Sequence, residues 1–149
     1  MSGQGNDDKF SNEEISVRYM EKSRSALDAA KYTESNFPGT AVEKAYYSVF
    51  YAAHSLLALR GVKPKSHEGV NHKLGELFTK TGLLPKEIFR LLRDLEVSRE
   101  KATYDLAESY TTEEAHERIL KAEVFINAVK RLTEDEKRRK DTADTQAPV

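Results

Sequence analysis

An arginine stands on an apolar helix face where no charge is expected. Apolar residues recur around Arg99 at intervals of three and four, the spacing of a helix that faces the core of a bundle. The members of this face are Ile88, Leu92, Leu95, Ala102 and Leu106. Because a guanidinium keeps its charge at neutral pH, this position requires a carboxylate, a ligand or a groove. Arg99 is therefore the strongest pointer to a site in the sequence.

Arg99 has two interpretations. In the first, Arg99 is structural and either pairs with a carboxylate of another helix or lies in a subunit interface. In the second, Arg99 binds an anion, because its planar fork of donors suits a phosphate. Tyr104 and Asp105 follow closely and are candidate catalytic partners, and Asp105 is either a helix-end carboxylate or the partner of Arg99. Tyr104 lies roughly 140° from Arg99 around an unbroken helix. The two cooperate only if the helix ends or bends, or if a second copy contributes, which favours a site at a two-fold dimer interface.

A dense run of aromatic residues precedes this region. We assign Tyr46 and Phe50 to the core, with the phenol of the tyrosine reaching a partner. Tyr47 and Tyr51 share a different face of the same helix and are predicted to line a groove or a dimer contact. Lys44 places a cation beside these rings.

A basic segment precedes the third predicted helix. Its cations are Arg60, Lys63, Lys65 and Lys73, which face only Glu68. Ser66 and His67 lie at the start of that helix, where backbone N–H groups can hold an anion. An exposed loop without a ligand is the alternative. The candidate ligand-binding residues are therefore Arg99, Lys44, Tyr47, Tyr51, Lys65, Ser66 and His67.

Five helices are predicted to position these residues. Three capping-box pairs mark helix starts, namely Ser11 with Glu14, Thr40 with Glu43, and Thr111 with Glu114. Ser66 caps a short third helix that Gly82 stops, and Pro85 begins the fourth, which carries Arg99. The second helix is apolar nearly all round and ends at Gly61, so we place it at the centre. The pattern predicts an all-α, up-down four-helix bundle with one short extra helix.

Composition bounds the class of protein. The chain has 149 residues, of which 38% are hydrophobic and 33% charged, with neither cysteine nor tryptophan. We predict one domain over residues 11–133, between disordered tails at 1–10 and 134–149. The net charge of −1 means that any basic site must be local. With no signal peptide and no apolar stretch of membrane-spanning length, we expect a cytoplasmic protein that does not enter the membrane.

Familiar catalytic and metal motifs are missing from the sequence. There is no nucleophile elbow, phosphate-binding loop or dinucleotide-binding glycine pattern. Glu113-x-x-His116 matches half of a di-iron bundle signature, but no second copy occurs. We therefore expect neither a metal nor a cofactor, and His54 is interpreted as an ordinary hydrogen-bonded histidine.

Three motifs in order resemble the HEPN domain (higher eukaryotes and prokaryotes nucleotide-binding). They are AVEKAYYSVFYAA at 41–53, SHEGV at 66–70, and Arg99-x-x-Ala102-x-Tyr104-Asp105. The resemblance covers residues 12 to 132 approximately and is closest to the small stand-alone prokaryotic branch. It implies a dimeric four-helix bundle with a short extra helix, and many members are toxins or defence ribonucleases encoded beside a minimal nucleotidyltransferase.

The resemblance also implies a catalytic motif, an arginine followed after four to six residues by a histidine, with two copies meeting at the dimer cleft. The arginine corresponds to Arg99, whereas the histidine position corresponds to Tyr104, Asp105 or Leu106. Since tyrosine has a pKa of about 10, it is a poor base at neutral pH. The fold and the Arg99 groove are thus better supported than cleavage.

Three hypotheses follow. The first is a homodimeric module that binds nucleotide or RNA phosphate near Arg99 and acts with a nucleotidyltransferase in a toxin–antitoxin-like or defence system. The second is an active metal-independent ribonuclease toxin in which Tyr104 or Asp105 replaces the histidine. The third is a non-catalytic structural or adaptor bundle in which Arg99 is ion-paired.

Overall fold

The part of the chain that the computed structural model describes, residues 9–107 and 109–146, forms four long helices that alternate in direction and one short helix. They are α1 (Asn12–Thr33), α2 (Pro38–Ala58), α3 (His67–Leu74), α4 (Lys86–Tyr104) and α5 (Thr112–Gln146). A π-helical turn, Gly75–Thr79, continues α3, and Gly82 then turns the chain with a φ of 86°. The predicted all-α bundle with one short helix is confirmed.

α2 runs through the centre of the bundle, as predicted. Its fully buried aliphatic residues include Val42, Val49, Leu56 and Leu57. It packs against α1, α4 and α5, so that apolar side chains on several of its faces are removed from water.

Buried serines fix how α1 lies on α2. The hydroxyls of Ser16 and Ser55 are 2.9 Å apart, and the Ser23 hydroxyl donates to the carbonyl of Ser48 at 2.6 Å. Because the lower number on α1 pairs with the higher number on α2, these two helices are antiparallel. The small hydroxyls satisfy one another without a large side chain between the helices.

Two of the three predicted capping boxes are present. Ser11 and Glu14 exchange both hydrogen bonds at 3.1 Å, and Thr111 and Glu114 do the same at 2.9 and 3.1 Å. The third prediction, a helix start at Thr40, is wrong.

α2 begins instead with Pro38 in its first turn, without a side-chain cap. Proline has no N–H to satisfy and a φ already suited to a helix, so it starts α2 earlier than the capping pattern indicates. Thr40 consequently lies inside α2. Glu43 serves another purpose, since its carboxylate accepts a hydrogen bond from Thr103 at 2.5 Å.

The apolar face of α4 is shorter than predicted. Pro85 occupies the cap position rather than the first helical residue, and the helix ends at Tyr104. Leu92 and Leu95 are buried, but Leu106 lies beyond the helix and is fully exposed. Its assignment to the core face is wrong because the helical spacing stops two residues before it.

The predicted disordered tail from 134 is also wrong over the residues described, because α5 continues to Gln146. Ion pairs accompany this extension: Glu136 with Arg60, Asp135 with Arg138, and Lys140 with Glu13. Of these, the pair formed by Asp135 and Arg138, which are three residues apart, stabilises the helix itself. This end of α5 has no apolar periodicity, so the sequence pattern did not indicate a helix there. Residues 1–8 and 147–149 of the two predicted tails lie outside the described part. No helix among the described residues is long and apolar enough to cross a bilayer.

Candidate functional site

Arg99 lies half-buried on α4 between two aromatic rings. Its guanidinium carbon is 5.4 Å from the centre of the Tyr46 ring and 6.0 Å from that of Tyr104. Its Nε is shielded from solvent, and no described atom accepts its hydrogen. None of the ion pairs of the described chain includes Arg99. The carboxylate from another helix that a purely structural arginine requires is therefore not supplied by these residues.

Tyr46 joins Arg99 to a histidine. Its side chain is fully buried, as predicted for a core residue, and its hydroxyl lies 2.5 Å from Nδ1 of His67. Burial raises the pKa of the Tyr46 phenol, the charge of Glu96 raises it further, and Arg99 opposes them. Tyr46 thus stays protonated near neutral pH, and its hydrogen bond with His67 links α2 to α3.

The packing of α3 against α4 places His67 opposite Arg99. The Asn71 amide donates to Glu96 at 2.9 Å, and Gly75 lies against the ring of Phe89. These pairs show that the two helices are antiparallel. His67 lies one helical turn before Asn71 on α3. It therefore lies opposite the part of α4 that is one turn beyond Glu96, which contains Arg99.

The candidate catalytic residues have different surroundings. Tyr104 is 72% exposed and near Arg99, although an unbroken helix would direct them apart. α4 is continuous from Arg99 to Tyr104, so these two long side chains come together without the helix end or bend between them that the spacing was expected to require. Asp105 is exposed and accepts a hydrogen bond from the backbone of Ala107 at 3.0 Å, so it is a helix-end carboxylate and not the partner of Arg99.

A group of half-buried rings, which we call the aromatic strip, adjoins Tyr46. Its members are Tyr19 of α1, Tyr47, Phe50 and Tyr51 of α2, and His67 of α3. The ring centres of Tyr47 and Tyr51 are 6.2 Å apart, and His67 stacks on Phe50 at 4.4 Å. Phe50, predicted to be core, is thus only partly buried. The strip links the predicted ligand residues of α2 and α3 in one surface.

The remaining predicted ligand-binding residues flank this surface. Lys44 and Lys65 are both exposed, so Lys44 does not lie among the buried rings. The Ser66 hydroxyl accepts a hydrogen bond from Gly69 at 2.9 Å and caps α3. That hydroxyl is already used by the fold.

A groove of about 490 Å³ on the other side of Arg99, between α3 and α4, has the opposite character. The side chains that line this groove include the carboxylates of Glu68, Glu96 and Glu100 and the guanidinium of Arg93. An anion is repelled by this surface, so the approach to Arg99 that suits a phosphate is from the aromatic strip and Tyr104.

His116 of the half di-iron pattern lies 3.2 Å from a carboxylate oxygen of Glu34. The buried His54 stacks on Tyr19 with ring centres 4.6 Å apart. Over the residues described, no group of three or more histidine, aspartate or glutamate side chains is placed to hold a metal ion.

Comparison with known proteins adds a family to this geometry. The sequence model described as "HEPN domain" matches residues 16–132. A Methanocaldococcus jannaschii protein named "Putative toxin MJ0142" is 32% identical over 115 residues, 76% of this chain and 78% of that protein. A Thermotoga maritima "UPF0332 protein" is 32% identical over 127 residues, 85% of this chain and 96% of its own length. A second M. jannaschii protein, "Putative toxin MJ0605", is 33% identical over 110 residues, 73% and 81% of the two chains.

Proposed function

Because the chain belongs to the HEPN domain family, we propose that it is a homodimeric, toxin-like module that binds the phosphate of a nucleotide or of RNA at Arg99. It acts with a nucleotidyltransferase partner in a toxin–antitoxin-like or defence system. The observation that carries the proposal is the half-buried guanidinium without a carboxylate partner among the described residues.

An unpaired arginine on a partly buried face is suited to an anion. Burial without a hydrogen-bond acceptor costs free energy, and a phosphate oxygen offers the acceptor that the described chain does not. The planar guanidinium also matches two phosphate oxygens at once. The rings of Tyr46 and Tyr104 keep the guanidinium in position from two sides.

The exposed face of α4 supports the homodimer. Val97 and Tyr104 are seven residues apart and so share one face of α4, on which they are 47% and 72% exposed. A second copy of the chain would cover this face. Antiparallel packing of two α4 helices about Val97 brings Arg93 of one copy near Glu100 of the other.

Binding of phosphate is tested by titrating adenosine 5′-monophosphate and a short RNA into the purified chain by calorimetry. We expect Arg99→Ala to lower the affinity for both ligands. Arg131→Ala, which removes an equal charge from an exposed position on α5, is the control and should bind as wild type does. If the wild-type chain binds neither ligand, the phosphate-binding function is wrong.

The dimer is tested by light scattering on Val97→Glu. We expect this variant to be monomeric, since a carboxylate in the centre of the α4 face opposes association. Val124→Glu, at a position of similar exposure (49%) on α5, should leave the mass unchanged. A monomeric wild-type chain would contradict the dimer.

The nucleotidyltransferase partner rests on family membership. Family members of this kind are encoded beside a minimal nucleotidyltransferase, so we expect such a gene next to this one and a complex of the two products. Co-expression and co-purification test it. If the two proteins purify separately at micromolar concentration, this part of the proposal fails while phosphate binding can still stand.

A ribonuclease toxin is the second candidate function, favoured by the position of His67. In this candidate function His67 would supply the histidine that the Arg99 motif lacks, since its Nδ1 is hydrogen-bonded to Tyr46, whose ring lies beneath the guanidinium. Induced expression of wild type, Arg99→Ala and His67→Gln, with growth and RNA integrity as readouts, tests this. Equal and harmless behaviour of all three would exclude it.

A further inference from the structure

The outward side of α2 is aromatic where a solvated helix normally carries charge. The inward side is filled by small and aliphatic residues such as Ala45, Val49 and Ala52, which are fully buried. The aromatic strip lies on the remaining surface and is half-exposed. The rings of the strip pack against this core from outside and keep part of their surface exposed, where a ligand could contact them.

Ring contacts connect the strip to the proposed phosphate anchor. The ring centres of Tyr46 and Tyr47 are 5.3 Å apart, and Arg99 lies over the first of these rings. From Tyr47 the contacts continue to Tyr51, and from Tyr51 to Tyr19 at 6.3 Å. A chain of rings therefore begins at Arg99 and extends along α2 toward α1.

The charges around the strip favour an anionic ligand over an apolar protein surface. Lys22 places its ammonium 5.2 Å from the centre of the Tyr51 ring. Lys44 is exposed three residues before Tyr47, and Arg99 lies over the Tyr46 ring, which contacts Tyr47 and His67 of the strip. Glu43, the nearby carboxylate of α2, already accepts a hydrogen bond from Thr103.

We infer that the aromatic strip stacks the bases of a single-stranded nucleic acid whose phosphates are neutralised by Arg99 and Lys22. This inference rests on the proposed function, because Arg99 is the shared anchor. Aromatic rings beside a basic rim suit this ligand, since every base has a flat face and every linkage a negative charge. The distance from Tyr47 to Tyr51 along α2 is roughly 6 Å, enough for neighbouring bases to contact different rings.

The decisive comparison is between an eight-nucleotide RNA and an abasic strand with the same number of phosphates, both fluorescein-labelled and titrated with the full chain. We expect the abasic strand to bind about 5- to 150-fold more weakly, the loss corresponding to one stacked base. This experiment needs no variant, so it does not depend on how a substitution affects folding.

Variants then locate the stacking. Tyr51→Ala should weaken binding of the RNA but leave the abasic strand unaffected, and Tyr51→Phe should bind nearly as wild type because it keeps the ring. Tyr32→Ala is the matched control, since Tyr32 is 88% exposed on α1 outside the strip. Melting temperatures measured by circular dichroism confirm that each variant is folded.

The outcomes separate this inference from the proposed function. If both strands bind equally well and still require Arg99, the stacking inference is wrong and phosphate binding stands. If neither strand binds the wild-type chain, the stacking inference is wrong, and the titration with adenosine 5′-monophosphate decides whether phosphate binding stands. If Tyr51→Ala dissociates the dimer without a difference between the strands, the strip is a subunit interface and the inference is overturned.

Discussion

Arg60 and Arg99 both lie over aromatic rings, but of these two only Arg60 has a carboxylate partner among the described residues. Arg60, just after α2, lies 4.5 Å from the centre of the Phe78 ring and binds Glu136 of α5 through Nε at 2.5 Å and a terminal nitrogen at 3.0 Å. Arg99 lies over Tyr46 and Tyr104, and none of the described ion pairs includes it. The first arginine joins two elements of the fold, whereas the second remains available for a ligand.

The difference does not arise from a lack of acidic residues near Arg99. Glu96 and Glu100 are on the same helix, and Glu96 accepts a hydrogen bond from Asn71 instead. At the other corner, the hydrogen bond to Arg60 lowers the pKa of Glu136 and raises that of Arg60, as expected for a matched pair. The charge of Arg60 is neutralised at a contact that holds two elements of the fold together. The charge of Arg99 is left unpaired among the described residues, and this is where we place the phosphate.

The largest expected effect is on binding. Arg99→Ala should reduce the affinity for a short RNA about 10- to 100-fold, since it removes charge-assisted hydrogen bonds worth about 1.5–3 kcal/mol. Its melting temperature should be unchanged or slightly higher, because an unsatisfied buried group is removed. Fluorescence anisotropy and calorimetric melting measure the two. A large loss of stability with unchanged affinity would make Arg99 structural like Arg60.

The next effect is on stability at the paired corner. Arg60→Ala should lower the free energy of unfolding by about 1–2 kcal/mol, because it removes the ion pair and the packing on Phe78. The melting temperature then falls by roughly 2–8 °C. RNA affinity should not change. If Arg60→Ala weakens binding as much as Arg99→Ala, the two corners do not have separate roles.

A smaller effect is expected at the ring beneath Arg99. Tyr46→Phe keeps that ring but removes the hydrogen bond to His67, at a cost of about 1 kcal/mol. Chemical denaturation measures the loss. RNA affinity should be retained, since the guanidinium keeps its platform; a variant that folds but no longer binds would show that the phenol itself contacts the ligand.

The smallest effect is a pH dependence confined to the Arg60 corner. The pKa of Glu136 is lowered in the folded protein by the hydrogen bond from Arg60, so the unfolded chain takes up the proton first as the pH falls. The stabilisation is complete above the unfolded pKa and disappears as the pH falls through the folded one. The melting temperatures of wild type and Glu136→Gln should therefore differ at pH 7. The difference should begin to shrink below the unfolded pKa of about 4.3 and disappear as the pH falls through the lowered pKa of the folded state. A constant difference would mean that the charge contributes nothing.

The helical frame was predictable because its signals are local. Ser11 and Thr111 begin helices through contacts three residues away, and regular apolar spacing identifies the buried faces. The errors occur where two local signals predict different starts for the same helix, or where a helix has no apolar periodicity. Pro38 outweighs the capping pattern at Thr40, and the charged end of α5 is helical through ion pairs that hydrophobic periodicity cannot register.

The site was predictable in its anchor but not in its neighbours. Arg99 is anomalous within its own helix, so the sequence alone identifies it. The bond between Tyr46 and His67 joins residues 21 positions apart on different helices, and it depends on how α2, α3 and α4 pack. The SHEGV motif pointed to His67 as a ligand residue, but not to its place beside Arg99.

The central claim is that Arg99 meets a phosphate and Arg60 does not, and NMR of the arginine Nε–H groups tests it directly. Arg99→Lys and Arg60→Lys assign the two resonances, and the wild-type chain is then titrated with the short RNA. We predict that the Arg99 resonance moves with saturating dependence on RNA while that of Arg60 stays in place. An Arg99 resonance that remains fixed while RNA binds elsewhere would contradict the account.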